Sequence, residues 1–266
     1  MTRHEFFAGL LFLGCANGVA AKVNAAVRRI GWLDAAIGMF DVSAIVLAAC
    51  AAGLWFTMCR GKQSVTPTDL VVGAIALTLI ALPVGALSWL AVSGLALYIL
   101  WFTNADVPVR RGAIILLAMT VPTLWSRLLF QFFANFILEI DASLVGWLLG
   151  TDQTGNMVRF VHDGGYLVIL SGCSSLANMS LAFLCWITVS EWAGHRRSVK
   201  DLWWCLLVCG SVLVVNVGRM SMMGLSLQHY EALHSPIGNA ATNAIILVAT
   251  LGWSLLGVRR DLFCRT

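Results

Sequence analysis

The stretch GGYLVILSGCSSL, at residues 164–176, decides how the rest of the sequence is interpreted. It follows a polar loop that carries His162 and Asp163, and its apolar character predicts a membrane-spanning helix that begins near Tyr166. Cys173 then lies about seven residues inside that helix, roughly 10 Å deep. A thiol at this depth is either ordinary packing or a nucleophile. A nucleophile also requires a base and a cation from elsewhere in the chain.

Composition indicates an integral membrane protein. The 266 residues are 59% hydrophobic and 11% charged, with a net charge of +4 and a mean hydropathy of +0.85. Soluble domains average about 25% charged residues. Apolar stretches long enough to span a bilayer recur from end to end, which leaves no room for a separate soluble domain of ordinary size. We therefore predict one membrane domain over residues 1–266.

The pattern of apolar stretches predicts an all-α, polytopic membrane helix bundle of about eight transmembrane helices. The predicted spans are residues 6–26, 35–58, two short helices within 70–102 that turn near 83–86, 112–138, 166–189, 202–224 and 238–257. Residues 67–69 are predicted to form a capped turn, and residues 104–111 a charged loop. A small-x-small pattern at Ala16 and Gly18 resembles a cleavage site, but we expect the first span to be retained.

The predicted organisation has three parts. Residues 1–138 form the N-terminal helices, residues 139–163 an extracytoplasmic loop, and residues 164–258 the core helices. Within the loop, residues 144–149 are apolar enough to lie on the membrane surface.

Basic residues set the predicted orientation, because cytoplasmic loops carry an excess of Lys and Arg. Four clusters fall on one side if both termini are cytoplasmic, and the pair Arg28-Arg29 is the exception. The four clusters are Arg60/Lys62, Arg110/Arg111, Arg196/Arg197/Lys200 and Arg259/Arg260/Arg265. We expect a multi-pass protein of the plasma (inner) membrane, with the outer end of its last three spans facing the extracytoplasmic side.

The eight cysteines lie mostly within apolar runs, without a C-x-x-C pair or a repeated metal-ligand spacing. This pattern predicts neither a disulfide framework nor a metal site. We expect no cofactor and no nucleic-acid partner. The lipid bilayer is the partner that composition indicates.

Three residue types are predicted to meet at the outer end of the core helices. Arg219 lies about five residues before the end of a span that runs antiparallel to the Cys173 span, and so at a similar depth. His229 and His234 lie just beyond it. A cation and an imidazole favour a reactive thiolate, and a guanidinium can stabilise the oxyanion of acyl transfer. Asn216, one turn before Arg219, either orients the guanidinium or pairs with a neighbouring helix.

Each of these residues has an alternative interpretation. Arg219 could extend to the membrane surface, and His234 taken alone is typical of a solvated loop. Arg127, in the middle of a predicted span, either lines the site or pairs with an acidic residue such as Glu139 or Asp141.

The order Gly172-Cys173-Ser174, Asn216-x-x-Arg219 and His234-x-x-x-Gly238 resembles the exosortase/archaeosortase family. The resemblance covers residues 164–257. It implies a membrane cysteine transpeptidase that cleaves a C-terminal sorting signal of exported proteins and passes the acyl group to an acceptor of unknown identity. The roles it implies are nucleophile for Cys173 and completion of the site for Arg219 and His234. Ser175 departs from the pattern, because the family commonly has Gly there.

Two other classes of function remain open. A small-solute transporter would use the intramembrane arginines to bind an anion, but it predicts inverted repeats that the sequence does not show convincingly. A non-catalytic assembly protein would use Cys173 for packing. Other protease chemistries lack their motifs, such as H-E-x-x-H and G-x-S-x-G.

Overall fold

The computed structural model describes residues 2–58, 63–196 and 198–263. Two of the eight cysteines, Cys59 and Cys264, and four residues of the basic clusters, Arg60, Lys62, Arg197 and Arg265, lie outside these ranges. The chain forms two compact units, Met1–Trp125 with Ile187–His195, and Ser126–Trp186 with Arg196–Thr266. Each unit is described by itself.

The first unit contains six complete helices within the described residues. They are α1 (Arg3–Ile30), α2 (Trp32–Ile37), α3 (Ala44–Thr57), α4 (Pro67–Ala81), α5 (Gly85–Phe102) and α6 (Val107–Thr120). A π-helical turn, Val121–Trp125, follows α6. The buried faces of α1, α3, α5 and α6 form the core, with Leu11, Leu95, Ile99, Ile115 and Leu116 among its least accessible side chains.

The hairpin predicted within residues 70–102 is confirmed. Thr66 and Asp69 form a capping box at the start of α4, and Pro67 occupies a first-turn position where its missing N–H costs nothing. The chain leaves α4 before Pro83 and enters α5 at Gly85.

Two predictions in this unit are wrong. The span predicted at 35–58 is interrupted by a 3-10 turn, Met39–Asp41, whose residues all have positive φ, so that α3 has 14 residues. The loop predicted at 104–111 is shorter, because α6 begins at Val107 and includes Arg110 and Arg111. A proline in the first turn does not interrupt a helix, and Pro108 lies there.

The second unit begins with α7 (Ser126–Leu149) and continues with three short strands, β1 (Gln153–Thr154), β2 (Met157–Arg159) and β3 (Tyr166–Val168). A 3-10 turn, Ser171–Cys173, leads into α8 (Ser175–Ala193), whose last residues belong to the first unit. The remaining helices are α9 (Lys200–Met223), α10 (Leu227–His234) and α11 (Pro236–Phe263).

Residues 144–149 are not part of a loop, as predicted, but the end of a helix. Residues 139–149 belong to α7, because Leu138, Ala142, Val145 and Leu149 continue an apolar face with helical spacing that packs in the core of the unit. The predicted extracytoplasmic loop therefore shortens to the residues after Leu149.

The helix predicted to begin at Tyr166 begins nine residues later, at Ser175. Tyr166–Val168 is instead the third strand of an antiparallel sheet with the order β1-β2-β3. Val158 pairs with Leu167, and both side chains are buried while their strand neighbours are exposed. Apart from this sheet and an isolated bridge between Thr2 and Ser64, the regular secondary structure of the described residues is helical.

Six helices among the described residues are long and apolar enough to cross a membrane. They are Arg3–Ile30, Gly85–Phe102, Val107–Leu149, Ser171–Ala193, Lys200–Met223 and Pro236–Arg259. Two shorter apolar helices are Ala44–Thr57 and Pro67–Ala81. The chain is thus an all-α, multi-pass membrane protein.

Candidate active site

Cys173 lies at the end of the 3-10 turn, two residues before α8, and not inside a helix as predicted. Its backbone N–H donates to the carbonyl of Leu170 (2.9 Å), and Ser174 then adopts an extended conformation that separates the turn from α8. The Cys173 side chain is partly buried against an apolar cluster that includes Val217 and Met220 of α9. The nucleophile predicted from the sequence therefore lies on a short turn at a helix start.

A buried asparagine holds this turn in place. Asn216 is 1% exposed, and its Nδ2 donates to the Cys173 carbonyl (2.8 Å) and to the Ser175 Oγ (3.0 Å). Both acceptors lie on the chain that carries the thiol. Of the two interpretations of Asn216, pairing with a neighbouring helix fits these contacts, since Ser175 is the first residue of α8.

Asp141 is a second anchor, which the sequence interpretation did not select for this position. Its Oδ2 accepts the backbone N–H of Ser175 (3.0 Å), although Asp141 itself is 3% exposed. A carboxylate at the start of a helix satisfies an N–H that has no partner within the helix. One feature of the sequence could have identified Asp141: it is an acidic residue on the otherwise apolar face of residues 138–149. A segment that lies on the membrane surface gives no reason for an acidic residue on that face.

The departure from the family pattern at Ser175 has a structural basis. Its backbone N–H donates to Asp141, and its hydroxyl accepts from Asn216. A glycine could make the first contact but not the second. The serine side chain therefore takes part in fixing the turn.

Arg219 lies one turn beyond Asn216 on α9 and is partly buried. Its Nη2 donates to the Leu233 carbonyl (3.1 Å) and to the Asn239 Oδ1 (2.5 Å). Its Nε is buried without a hydrogen-bond partner. No described carboxylate forms an ion pair with Arg219. The acceptors of its guanidinium among the described residues are therefore neutral.

The acceptors of Arg219 belong to a tight corner between α10 and α11. A Cβ on Gly238 would lie 2.6 Å from the Ala232 carbonyl and 2.7 Å from the Leu233 carbonyl, so only glycine allows this approach. The Gly238 N–H donates to the Ser235 Oγ (3.1 Å). The glycine of the His234-x-x-x-Gly238 pattern thus places the Leu233 carbonyl where Arg219 binds it.

His234 is the last residue of α10 and is exposed, so both histidines predicted in a loop belong to a short helix. Its ring stacks on Tyr230 at 5.0 Å between centroids, and its carbonyl accepts from the Asn239 Nδ2 (2.9 Å). His229 instead contacts the Ser226 hydroxyl with its Nδ1 (2.7 Å), at the cap of α10. Over the residues that the structure covers, no hydrogen bond joins the Cys173 thiol to Arg219 or to either imidazole.

The loop before β3 is attached to the chain after α9. Val161 and His162 donate to the carbonyls of Gly224 and Leu225, at 3.0 and 3.1 Å, and the Asp163 Oδ2 accepts the N–H of Leu227 (2.6 Å). These contacts hold α10 beside the sheet, where Tyr230 packs against the cluster of Phe160, Leu167 and Met223. A polar cavity of about 430 Å³ lies alongside, lined by residues that include Asp152, Arg159, His162 and Asp163.

Arg127 lines a cavity of about 310 Å³ next to the Cys173 turn. Ser171 and Ser174, on either side of Cys173, line the same cavity. Arg127 is exposed and forms no ion pair with Glu139 or Asp141 within the described ranges. Arg127 therefore lies beside the Cys173 turn. The other lining residues are Ser126, Phe130, Gln131, Leu176 and Ala177.

Comparisons with protein-family models, with curated proteins and with solved structures find no match to this chain.

The candidate site is a series of contacts at one end of the second unit. Asn216 binds the Cys173 turn, Arg219 follows one turn later, and Asn239 joins Arg219 to the backbone of His234. No group of three or more His, Cys, Asp or Glu side chains suited to a metal occurs in the described part of the chain.

Proposed function

We propose that this chain is a membrane-embedded cysteine peptidase or transpeptidase of the exosortase type. It would cleave C-terminal sorting signals of exported proteins and pass the acyl group to an acceptor. The observation that carries the proposal is the position of Arg219, a partly buried guanidinium whose acceptors among the described residues are neutral oxygens. It lies one turn from Asn216, the residue that binds the Cys173 turn. A cation without a counter-ion suits a site where negative charge develops during the reaction.

The reaction would begin with the Cys173 thiol giving its proton to the His234 imidazole. The thiolate attacks the scissile carbonyl carbon, a C–S bond forms, and the carbonyl oxygen becomes an oxyanion next to Arg219. The C–N bond then breaks, and the imidazolium returns the proton to the leaving amine. Attack on the resulting thioester by an acceptor amine or water releases the product and restores the thiol.

In this proposal, His234 reaches the thiol when substrate is bound. Catalytic hydrogen bonds are often long or absent without substrate and form in the complex. The exposed His234 ring at the end of α10 is free of hydrogen bonds to other described side chains, which is consistent with such a contact. The cavity at Arg127 is adjacent to the Cys173 turn and would hold the substrate chain on one side of the scissile bond.

We propose further that the two shorter apolar helices cross the bilayer together with the six longer ones, giving about eight crossings of the inner membrane. The active site would then face the extracytoplasmic side, where exported proteins arrive. The basic clusters that set the predicted orientation, such as Arg110-Arg111 at the start of α6, would lie in the cytoplasm.

The test is co-expression with a reporter that carries a C-terminal sorting signal, made of a short motif, an apolar helix and a basic tail. We expect the parent chain to shorten the reporter and the variant Cys173→Ala to leave it intact while accumulating normally. Cys185→Ala is the matched control, because Cys185 is a buried cysteine of α8 away from the turn. Equal processing by the parent and Cys173→Ala would reject the proposal.

A further inference from the structure

We propose that Asn239 is the residue that positions Arg219 for catalysis and couples it to the segment that carries His234. The inference rests on the function proposed above. It adds to that site a residue that the sequence pattern did not indicate.

The Asn239 side chain uses both ends of its amide. Its Oδ1 accepts from the Arg219 Nη2 (2.5 Å), and its Nδ2 donates to the His234 carbonyl (2.9 Å). Its own backbone N–H donates to the Ser235 carbonyl (2.9 Å) at the start of α11. These partners fix which end of the amide faces the guanidinium, because a carbonyl can only accept and a guanidinium can only donate.

The chemistry of the side chain explains why an amide suits this position. Arg219 must keep its full charge to stabilise an oxyanion, and a neutral acceptor leaves that charge uncompensated. A carboxylate at residue 239 would pair with the guanidinium and would also lose the donor to the His234 carbonyl. An apolar residue would leave Arg219 with one acceptor, the Leu233 carbonyl.

Bonding through Nη2 also leaves Nη1 of the guanidinium available to a substrate. The Nε is buried and unpaired, and no hydrogen bond to a described residue is made by Nη1. A substrate oxygen could therefore bind Nη1 while Asn239 holds Nη2. Asn239 would act through Arg219 and would not itself contact the reacting atoms.

The chain provides a matched control one turn further along the same helix. Asn243 is exposed on α11 and makes no hydrogen bond to another described residue. Asn243→Ala therefore makes the same chemical change in α11 without removing a contact to Arg219.

The first experiment measures, without substrate, whether Asn239 restrains the Arg219 side chain. Purified protein in detergent is treated with phenylglyoxal, which modifies guanidinium groups, and the modification rate of Arg219 is followed by mass spectrometry of its peptide. We expect Asn239→Ala to raise this rate about tenfold, since a hydrogen bond to a charged group is removed. Asn243→Ala should match the parent. An unchanged rate in Asn239→Ala would overturn the inference, whatever the function of the chain.

The second experiment uses initial rates of cleavage of the sorting-signal reporter. We expect Asn239→Ala to lower kcat by about tenfold or more, with KM changed less than about twofold, because the lost interaction acts on the transition state. In an Arg219→Lys background, the same substitution should lower kcat by less than about threefold, because its effect acts through Arg219. Asn239→Asp should also lose activity, although it keeps the acceptor.

The two experiments separate the inference from the proposed function. Faster labelling of Arg219, together with a loss of kcat that disappears in the Arg219→Lys background, supports the positioning role. A loss of kcat that adds fully to that of Arg219→Lys would assign Asn239 a structural role and overturn the inference. If Cys173-dependent cleavage is absent altogether, the proposed function fails, and the catalytic role of Asn239 is rejected with it.

Discussion

The two units each hold an arginine in a polar cluster, and the difference lies in the charge of its partner. In the first unit, the Arg3 Nη2 lies 2.7 Å from the Asp69 Oδ1, which also accepts from the Tyr98 hydroxyl (2.9 Å). In the second unit, Arg219 meets two neutral oxygens, one from a carbonyl and one from Asn239. Both arginines have a buried, unpaired Nε, so this feature does not distinguish them.

The comparison distinguishes an arginine that stabilises the fold, Arg3, from one whose charge could interact with a substrate, Arg219. The charge of Arg3 is balanced within the chain by a carboxylate that is 0% exposed, and this pair ties α1 to α4. The charge of Arg219 has no such partner among the described residues, so a developing negative charge could interact with it strongly. Substitutions in the Arg3 cluster should therefore affect stability, and substitutions in the Arg219 cluster should affect activity.

The largest expected effect is on stability in the first unit. Asp69→Ala leaves Arg3 without its counter-ion, and breaking a buried pair in this way costs about 3–5 kcal/mol in free energy of unfolding. We expect a clear fall in thermal stability in detergent, with unchanged reporter cleavage per folded molecule. Asp106→Ala is the control, because the Asp106 side chain is 57% exposed and lies 3.8 Å from His4. A loss of cleavage beyond the loss of folded protein would contradict the assignment.

The next effect is on activity in the second unit. Arg219→Lys keeps the charge but loses the planar fork, and loss of one oxyanion donor costs about 2.7–4 kcal/mol, or roughly a hundred- to a thousandfold in rate. The measurement is the initial rate of reporter cleavage at matched enzyme level. Arg3→Lys, in the other unit, serves as the control. An Arg219→Lys variant within about threefold of the parent would remove Arg219 from the catalytic set.

A smaller effect is expected at the residue that holds the Cys173 turn. Asn216→Leu has similar volume but loses the hydrogen bonds to the Cys173 carbonyl and the Ser175 hydroxyl. Buried groups left without partners cost about 1–3 kcal/mol, so we expect cleavage to fall about 5- to 150-fold if that cost appears in the transition state. Asn178→Leu, in α8, is the control. Equal rates for the two variants would show that the turn does not depend on Asn216.

The smallest effect is expected at the cavity beside the turn. Arg127→Gln removes an exposed cation without an ion-pair partner, and interactions of such groups are worth about 0–1 kcal/mol. We expect KM for the reporter to rise about two- to fivefold with kcat unchanged. Measurement of both constants distinguishes a binding contact from a catalytic one. A fall in kcat as large as that of Arg219→Lys would place Arg127 in the catalytic set.

Much of the fold could be predicted from apolar stretches, including the α4–α5 hairpin, because long apolar helices leave a strong signal. The start of α8 could not, because a short apolar run such as Tyr166–Val168 fits a strand as well as a helix. The continuation of α7 to Leu149 was missed because Glu139, Asp141 and Ser143 are polar residues of the kind found in loops. These two errors lie at the ends of helices, whereas the short helix α10 and the sheet were not predicted at all.

The site shows the same division. Asn216 and Arg219 could be selected because they are polar residues one turn apart near the end of an apolar helix, and Cys173 because it lies at the start of an apolar stretch that follows a polar loop. Asp141 and Asn239 could not be selected, because their roles depend on contacts with residues distant in the chain or across a tight corner. An acidic or amide side chain in an apolar helix indicates a partner, but the sequence does not identify it.

The most direct test of the central claim is detection of the acyl group on Cys173. The parent protein is mixed with the sorting-signal reporter, quenched in acid, digested and analysed by mass spectrometry, with and without neutral hydroxylamine, which cleaves thioesters. We predict a hydroxylamine-sensitive adduct on the Cys173 peptide. Its mass should equal that of the last peptide of the reporter's N-terminal cleavage product, joined to the thiol through the carbonyl of the cleavage site. Reporter cleavage with unmodified Cys173, or with the adduct on another cysteine, would contradict the account.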